Sequence, residues 1–213
     1  MKHIILFLII FDCTSAFSQT CTHDLNGNGV IDGGDLLELL TVYGEFCTDA
    51  YEFAPIISEI HFNPSELQGQ DSDWEFIEIY NPHSISINLS GWELTDGVEA
   101  IFEEGVFIEP GRYIVLATTL SSYQSDLPYS TIVVQLFGDL DNSGESIRLL
   151  NSNGVEIDHV EYSDYSPWPT EADGMGASLE WTGIGIENQD PQSWMPSNSF
   201  GGSPGSANST WAD

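Results

Sequence analysis

Strong bases are almost missing from this chain. Lys2, Arg112 and Arg148 stand against 34 carboxylates in 213 residues, which leaves a formal net charge of −31. A field that is negative almost everywhere excludes binding of nucleic acid by phosphate neutralisation and disfavours anionic membranes for the same reason. Cysteine is scarce as well: Cys13, Cys21 and Cys47 come without the nearby pair of histidines that would complete a tetrahedral zinc site. His61, His83 and His159 lie far apart and form no H-E-x-x-H spacing, and no G-x-S-x-G nucleophile elbow occurs. Beyond the first residues, no hydrophobic run is long enough to anchor the chain in a bilayer.

What is present begins with an address. Lys2, the apolar run Ile4 to Phe11 and the sequence Ala16-Phe17-Ser18 ahead of Gln19 form the pattern of a secretory signal peptide cleaved near Ser18-Gln19. The expectation is a secreted, extracellular protein that loses Cys13 with its leader, since Asp12 is wrong for a lipoprotein box. In an oxidising compartment Cys21 and Cys47 are then expected to form a disulfide, closing a unit with too little core to hold itself together. Most of the acids read as a solvated surface. The tail Ser197 to Asp213 carries no hydrophobic sorting segment and no charge cluster.

The stretch from Asp24 to Asp35 places oxygen side chains at loop positions 1, 3, 5, 9 and 12: Asp24, Asn26, Asn28, Asp32 and Asp35. The Val30 carbonyl falls at position 7 and Gly29 at position 6, where a sharp turn is needed. A hard dication wants six to eight oxygens, and this spacing matches an EF-hand loop around one Ca2+. Ile31 at position 8 is expected to pack beneath the loop, and Asp35 offers a shorter arm than the usual bidentate glutamate. Leu36, Leu39, Leu40 and Tyr43 follow at helical spacing, with Gly44 as a C-terminal cap. The alternative is a plain Asn/Asp/Gly turn ahead of a helix. The loop and exiting helix, Asp24 to Gly44, resemble a dockerin type I repeat. A second repeat is missing, and Gly33 and Gly34 occupy positions 10 and 11, which in dockerins help to select the cohesin; both departures argue against a cohesin partner.

From Ile56 onward the chain reads as short strands between turns: Ile56 to Phe62, Glu75 to Tyr80, Ile85 to Leu89, Trp92 to Leu94, Tyr113 to Leu116, Ile132 to Leu136, Ser146 to Leu150, Val155 to Tyr162 and Ser178 to Trp181. Turn signals at Asn63-Pro64, Asn81-Pro82, Asp96-Gly97, Pro110-Gly111, Ser143-Gly144, Asn153-Gly154 and Asp173-Gly174 have the spacing of an antiparallel sandwich. The segments 57–64, 74–81, 89–94, 110–116, 143–149, 158–162, 168–169, 176–180 and 202–208 resemble, in order, the lamin tail domain. That resemblance implies a mainly β, immunoglobulin-like sandwich used as an accessory interaction module, with no activity attached.

Other readings compete at single sites. Glu75 and Glu78 beside Trp74 have the composition of a glycosidase pair, but on one strand they would face opposite sides, which favours a structural role. Asp139 to Gly144 begins like a second calcium loop, yet position 12 is Leu150, so a hairpin turn is expected. Trp92, Trp168, Trp181, Trp194 and Trp211, with Tyr162 and Tyr165, could stack on sugars or fill the core. The layout expected is a signal peptide (1–18), a calcium-binding half EF-hand (19–47), a linker (48–55), a sandwich (56–208) and a short tail (209–213). The function expected is a non-enzymatic, calcium-binding adhesion or interaction module at the cell exterior, its partner an unidentified protein or glycan. The alternative is a carbohydrate-binding accessory module or weak glycan-active hydrolase.

Overall fold

The computed structural model describes residues 29–41, 53–123, 127–128, 131–183 and 187–211. The chain divides into two compact units, Met1–Cys47 and Thr48–Asp213. Of the first, the turn from Gly29 and the helix α1 (Gly33–Thr41) are described. The helix starts two residues before Asp35, because Asp32 and Asp35 form a reciprocal cap: Asp32 Oδ1 accepts from the Gly34 N–H at 2.7 Å and Asp35 Oδ2 accepts from the Asp32 N–H at 2.6 Å. Ile31, expected beneath the loop, is instead exposed, and so is Leu36. Cys21, Cys47 and residues 1–28, with the signal peptide, lie outside the described residues.

The second unit is built of short strands: β1 (Ile56–His61), β2 (Phe76–Tyr80), β3 (Ile87–Asn88), β4 (Glu93–Asp96), β5 (Ala100–Ile101), β6 (Phe107–Ile108), β7 (Tyr113–Ala117), β8 (Ile132–Gln135), β9 (Ser146–Leu150), β10 (Glu156–Glu161), β11 (Leu179–Trp181) and β12 (Trp194–Pro196). Its α-helices, α2 (Asp71–Trp74) and α3 (Leu120–Tyr123), are single turns. One sheet runs β12-β11-β1-β2-β7-β8, a second runs β10-β9-β4-β5, and β3 pairs with β6. Ile60, Ile77, Ile79, Ile114, Leu116 and Trp181 of the first sheet meet Leu94, Ile147, Leu149 and Val160 of the second in one buried core. Each such side chain contributes about 1.5–3 kcal/mol relative to leaving it in water.

Nine of these strands follow the sequence reading with ends that differ by at most two residues. β5, β6 and β12 were not legible, being only two or three residues long. β7 and β8 pair in parallel within an otherwise antiparallel fold, because the chain between them crosses over through α3 rather than turning back in a hairpin. Ile85 is exposed and precedes β3, since its carbonyl is taken at 2.8 Å by the buried Asn81 amide.

Strands β1 and β2 are buried on both faces. Their inner residues enter the core. The outer residues Phe76, Val115 and Ala117 form a second small cluster with Tyr123 and Trp74 beneath α2 and α3. Beside that cluster, the outer face is polar and is roofed by the C-terminal segment from Gly202 to Trp211. A bulge between Ile57 and Glu59 sets this division, placing Glu59 opposite Glu78.

Candidate functional site

Two sets of acidic side chains need a chemical account. The first is the turn into α1. Asp32 and Asp35 are the described side chains of the expected calcium set, and Val30 supplies backbone; Asp24, Asn26 and Asn28 lie outside the described residues. Asp35 is 4% exposed, an unusual place for a carboxylate on a nine-residue helix. Both carboxylates turn toward the backbone at the helix entry, which satisfies the first free N–H groups of α1. The full set is all oxygen, with three carboxylates, two amides and one carbonyl, and that is the donor chemistry of calcium rather than of zinc or copper.

The second set was not recognised from the sequence. Glu180, Glu59 and Glu78 lie side by side on β11, β1 and β2, with Glu59 directly opposite both neighbours, and all three are fully buried. Every oxygen contact is with a neutral donor. Glu59 Oε1 accepts from Ser178 Oγ at 2.5 Å and from the Ser203 N–H at 2.8 Å, and Ser203 Oγ donates to Glu59 Oε2 at 3.1 Å. Glu78 accepts from Ser58 Oγ at 2.9 Å and from the Gly205 N–H at 2.6 Å. Glu180 accepts from Ser203 Oγ at 2.8 Å, from Ser209 Oγ and from the Thr210 N–H at 2.9 Å. Two charges on directly opposed residues, roughly 5 Å apart, repel by about 3 kcal/mol at an effective dielectric of 20. That exceeds the net gain from one charge-assisted hydrogen bond, roughly 1.5–3 kcal/mol, before any desolvation is counted. Burial accordingly pushes the Glu59 carboxyl up to about 8, with the Glu180 charge adding to the rise. Burial and then Glu59 push Glu78 well above the carboxylate range.

A further buried acid joins the sheets. Asp158 of β10 accepts from the Ile57 N–H at 2.7 Å, at the bulge in β1, and from Asn188 Nδ2 at 2.8 Å. Burial raises it to about 6 against these stabilising bonds.

The remaining candidates separate. Glu75 precedes β2 as the cap of α2 and accepts from the Leu140 N–H at 3.0 Å, whereas Glu78 faces Gly205, so the two do not meet as an acid and base. Asp139 to Gly144 forms a turn: Asp141 Oδ1 accepts from the Ser143 N–H at 2.8 Å, and the Gly144 N–H donates to the Asp141 carbonyl at 3.0 Å. His61 reaches Gln68, His83 Nε2 donates to the Ala54 carbonyl at 2.9 Å, and His159 pairs with Glu156 at 2.9 Å, three separate neighbourhoods. Trp168, Trp181 and Trp194 are buried in the core, and Trp211 packs on Tyr80 and Trp181 with its Nε1 donating to the Trp181 carbonyl at 2.7 Å. Trp74, considered from the sequence only as the neighbour of Glu75 and Glu78, lines with Tyr123, Leu67 and Phe200 a cleft of about 750 Å³. None of the cleft's described lining residues is charged, and several are serines.

Two packed β-sheets closed over one apolar core define an immunoglobulin-like β-sandwich. The model of the Lamin Tail Domain matches residues 53–164, and the chain belongs to that family. The matched region ends before β11, yet β11 pairs with β1 in the same sheet, so the sandwich extends beyond it. No curated protein sequence matches the chain.

Proposed function

We propose that the chain is an exported, non-catalytic interaction module in which the lamin-tail sandwich presents the binding surface and the N-terminal unit is held by one calcium ion. The observation that supports the calcium reading is the buried Asp35 carboxylate, turned back with Asp32 onto the last turn of a loop whose side chains at positions 1, 3, 5 and 9 are all hard oxygen donors. Asp24, Asn26, Asn28, Asp32, Asp35 and the Val30 carbonyl would hold the ion. Calcium would neutralise three carboxylates and tie the loop to α1, and the disulfide Cys21–Cys47 would close the same unit. An extracellular loop of this charge is expected to bind on the order of micromolar to millimolar. Calorimetric titration of the mature chain from Gln19 should give one calcium per chain, lost in Asp24→Ala and in Asp35→Ala. Stoichiometric binding retained in both variants would remove the loop from consideration.

A carbohydrate reading is favoured by one observation, the uncharged cleft beside Trp74. In a chain of net charge −31, an aromatic and hydroxyl-lined cleft without charge suits a neutral ligand having both apolar faces and hydroxyls. Retention of one glycan class on an array, lost in Trp74→Ala, would favour this reading over a protein partner.

A further inference from the structure

Glu59, Glu78 and Glu180 do more than fill a face of the sheet. They are the points to which the C-terminal strap, Gly202 to Thr210, is tied: the backbone N–H groups of Ser203, Gly205 and Thr210 and the hydroxyls of Ser203 and Ser209 all end on these three carboxyls. The strap itself carries no charged residue. No cation faces the row from the strands beside it either. Glu180 pairs with Met195 of β12, Glu78 pairs with Val115 of β7, and Arg148 lies on the other sheet, bonded to Asp96 at 2.8 Å. The other titratable groups near the row are His61, two residues along β1, whose imidazole burial pushes down to about 4, and the phenols of Tyr80, Tyr113 and Tyr123, which burial pushes up. None of these supplies a positive charge at neutral pH; Arg112, just before β7, lines a pocket with Gly205, Ser206 and Ala207 of the strap, but among the described residues no ion pair joins it to the row.

We propose that Glu59 and Glu78 form a proton-operated latch: while they hold protons the strap is fastened to the sheet, and when they ionise its leading part, Gly202 to Ala207, lifts. Each step moves one proton from a carboxyl oxygen to water and breaks no other covalent bond. The direction follows from access. The inner face of β1, β2 and β11 is the apolar core, so water can reach new charges on the row only from the strap side. An ionised carboxylate is a better acceptor for any single strap donor, but adjacent charges without a cation repel, and lifting the strap relieves that repulsion by hydration. The strap is a turn-rich segment outside the strands, so it can open without unfolding the sandwich. Two anchors do not titrate: Asn208 Nδ2, bonded at 2.9 Å to the Ser58 and Trp181 carbonyls, and the Trp211 ring. They keep the lifted strap close, so the change is reversible.

The test is hydrogen exchange of the full chain in chelator, which keeps the calcium loop empty, at pH 6 and pH 9, corrected for the intrinsic rise of exchange with pH. The amides of Ser203 and Gly205, bonded to Glu59 and Glu78, should lose protection at least tenfold at pH 9 and regain it on return, while those of β9 hold theirs. In Glu78→Gln, which cannot ionise at that position, the loss should shrink. Unchanged strap protection, a loss shared equally by β9, or an undiminished loss in Glu78→Gln would each overturn the latch. Should Glu78→Gln fail to fold, the contrast between strap and β9 amides in the unaltered chain decides alone.

Discussion

Asp158 illustrates how a single carboxylate can be worth more than its charge. Its oxygen takes the Ile57 N–H that the bulge leaves unpaired and ties Asn188 to the same point, so one side chain of the second sheet holds the backbone of the first. Asp158→Ala leaves a buried N–H without an acceptor and should lower stability by about 1–3 kcal/mol, measured by urea unfolding. Asp158→Asn, which keeps an acceptor oxygen, should cost less. Gly202 makes the complementary point about space. Its φ is +79°, and a Cβ there would run into the Glu59 carboxyl. Gly202→Ala is expected to cost on the order of 1–3 kcal/mol and to loosen the strap in preference to the sheets, which exchange of the Ser203 amide would report. Asp158 stood inside a family-like string and Gly202 inside a turn-rich tail; neither string says what the residue touches, because their partners are about a hundred residues distant or more.

The helix α1 was legible from its spacing, and its first turn is set by two side chains. The apolar spacing puts Asp35 near the helix start, and its side chain reaches back as the third residue of a capping box whose cap is Asp32. Asp32→Ala should therefore weaken α1 by about 1 kcal/mol even in chelator, where no ion contributes, and exchange of the α1 amides measures it. If calcium binds, the same variant should lose further protection relative to the unaltered chain once calcium is added. Among the strands, Ile-Ile-Ser-Glu-Ile-His and Phe-Ile-Glu-Ile-Tyr each carry a glutamate amid apolar residues, and that was the available sign of the buried row. Alternation suggested a half-wet sheet instead. The outer face is dry because the C-terminal segment folds back over it.

Taken together, the buried acids tilt the pH dependence of the whole sandwich. Glu59 rises from its ordinary value of 4.5 to about 8, and Glu75 rises to about 7 through burial and then its acidic neighbours. The folded chain thus holds protons that the unfolded chain has released. Stability from these groups is fully present below about pH 4.5 and is lost as pH rises toward 8, a fall on the order of several kcal/mol. Thermal melts in chelator should show the midpoint dropping between pH 5 and 8.5 and levelling above. Glu59→Gln should flatten that slope, and an equally steep slope in the variant would assign the effect to the general surplus of surface acids.

The order of strands and turns, the lamin-tail likeness, the acidic surface and the oxygen spacing of the calcium loop were all decided locally, by alternation, glycine and proline placement and side-chain chemistry within a dozen residues. Those are properties a sequence carries by itself. The pairing of Glu59 with both Glu78 and Glu180, the burial of that row, the parallel entry of β8 and the fate of the tryptophans were decided only by the tertiary structure. A β-sheet joins residues more than a hundred positions apart, and whether a carboxyl there meets water, a proton or a strap depends on what the rest of the chain lays across it.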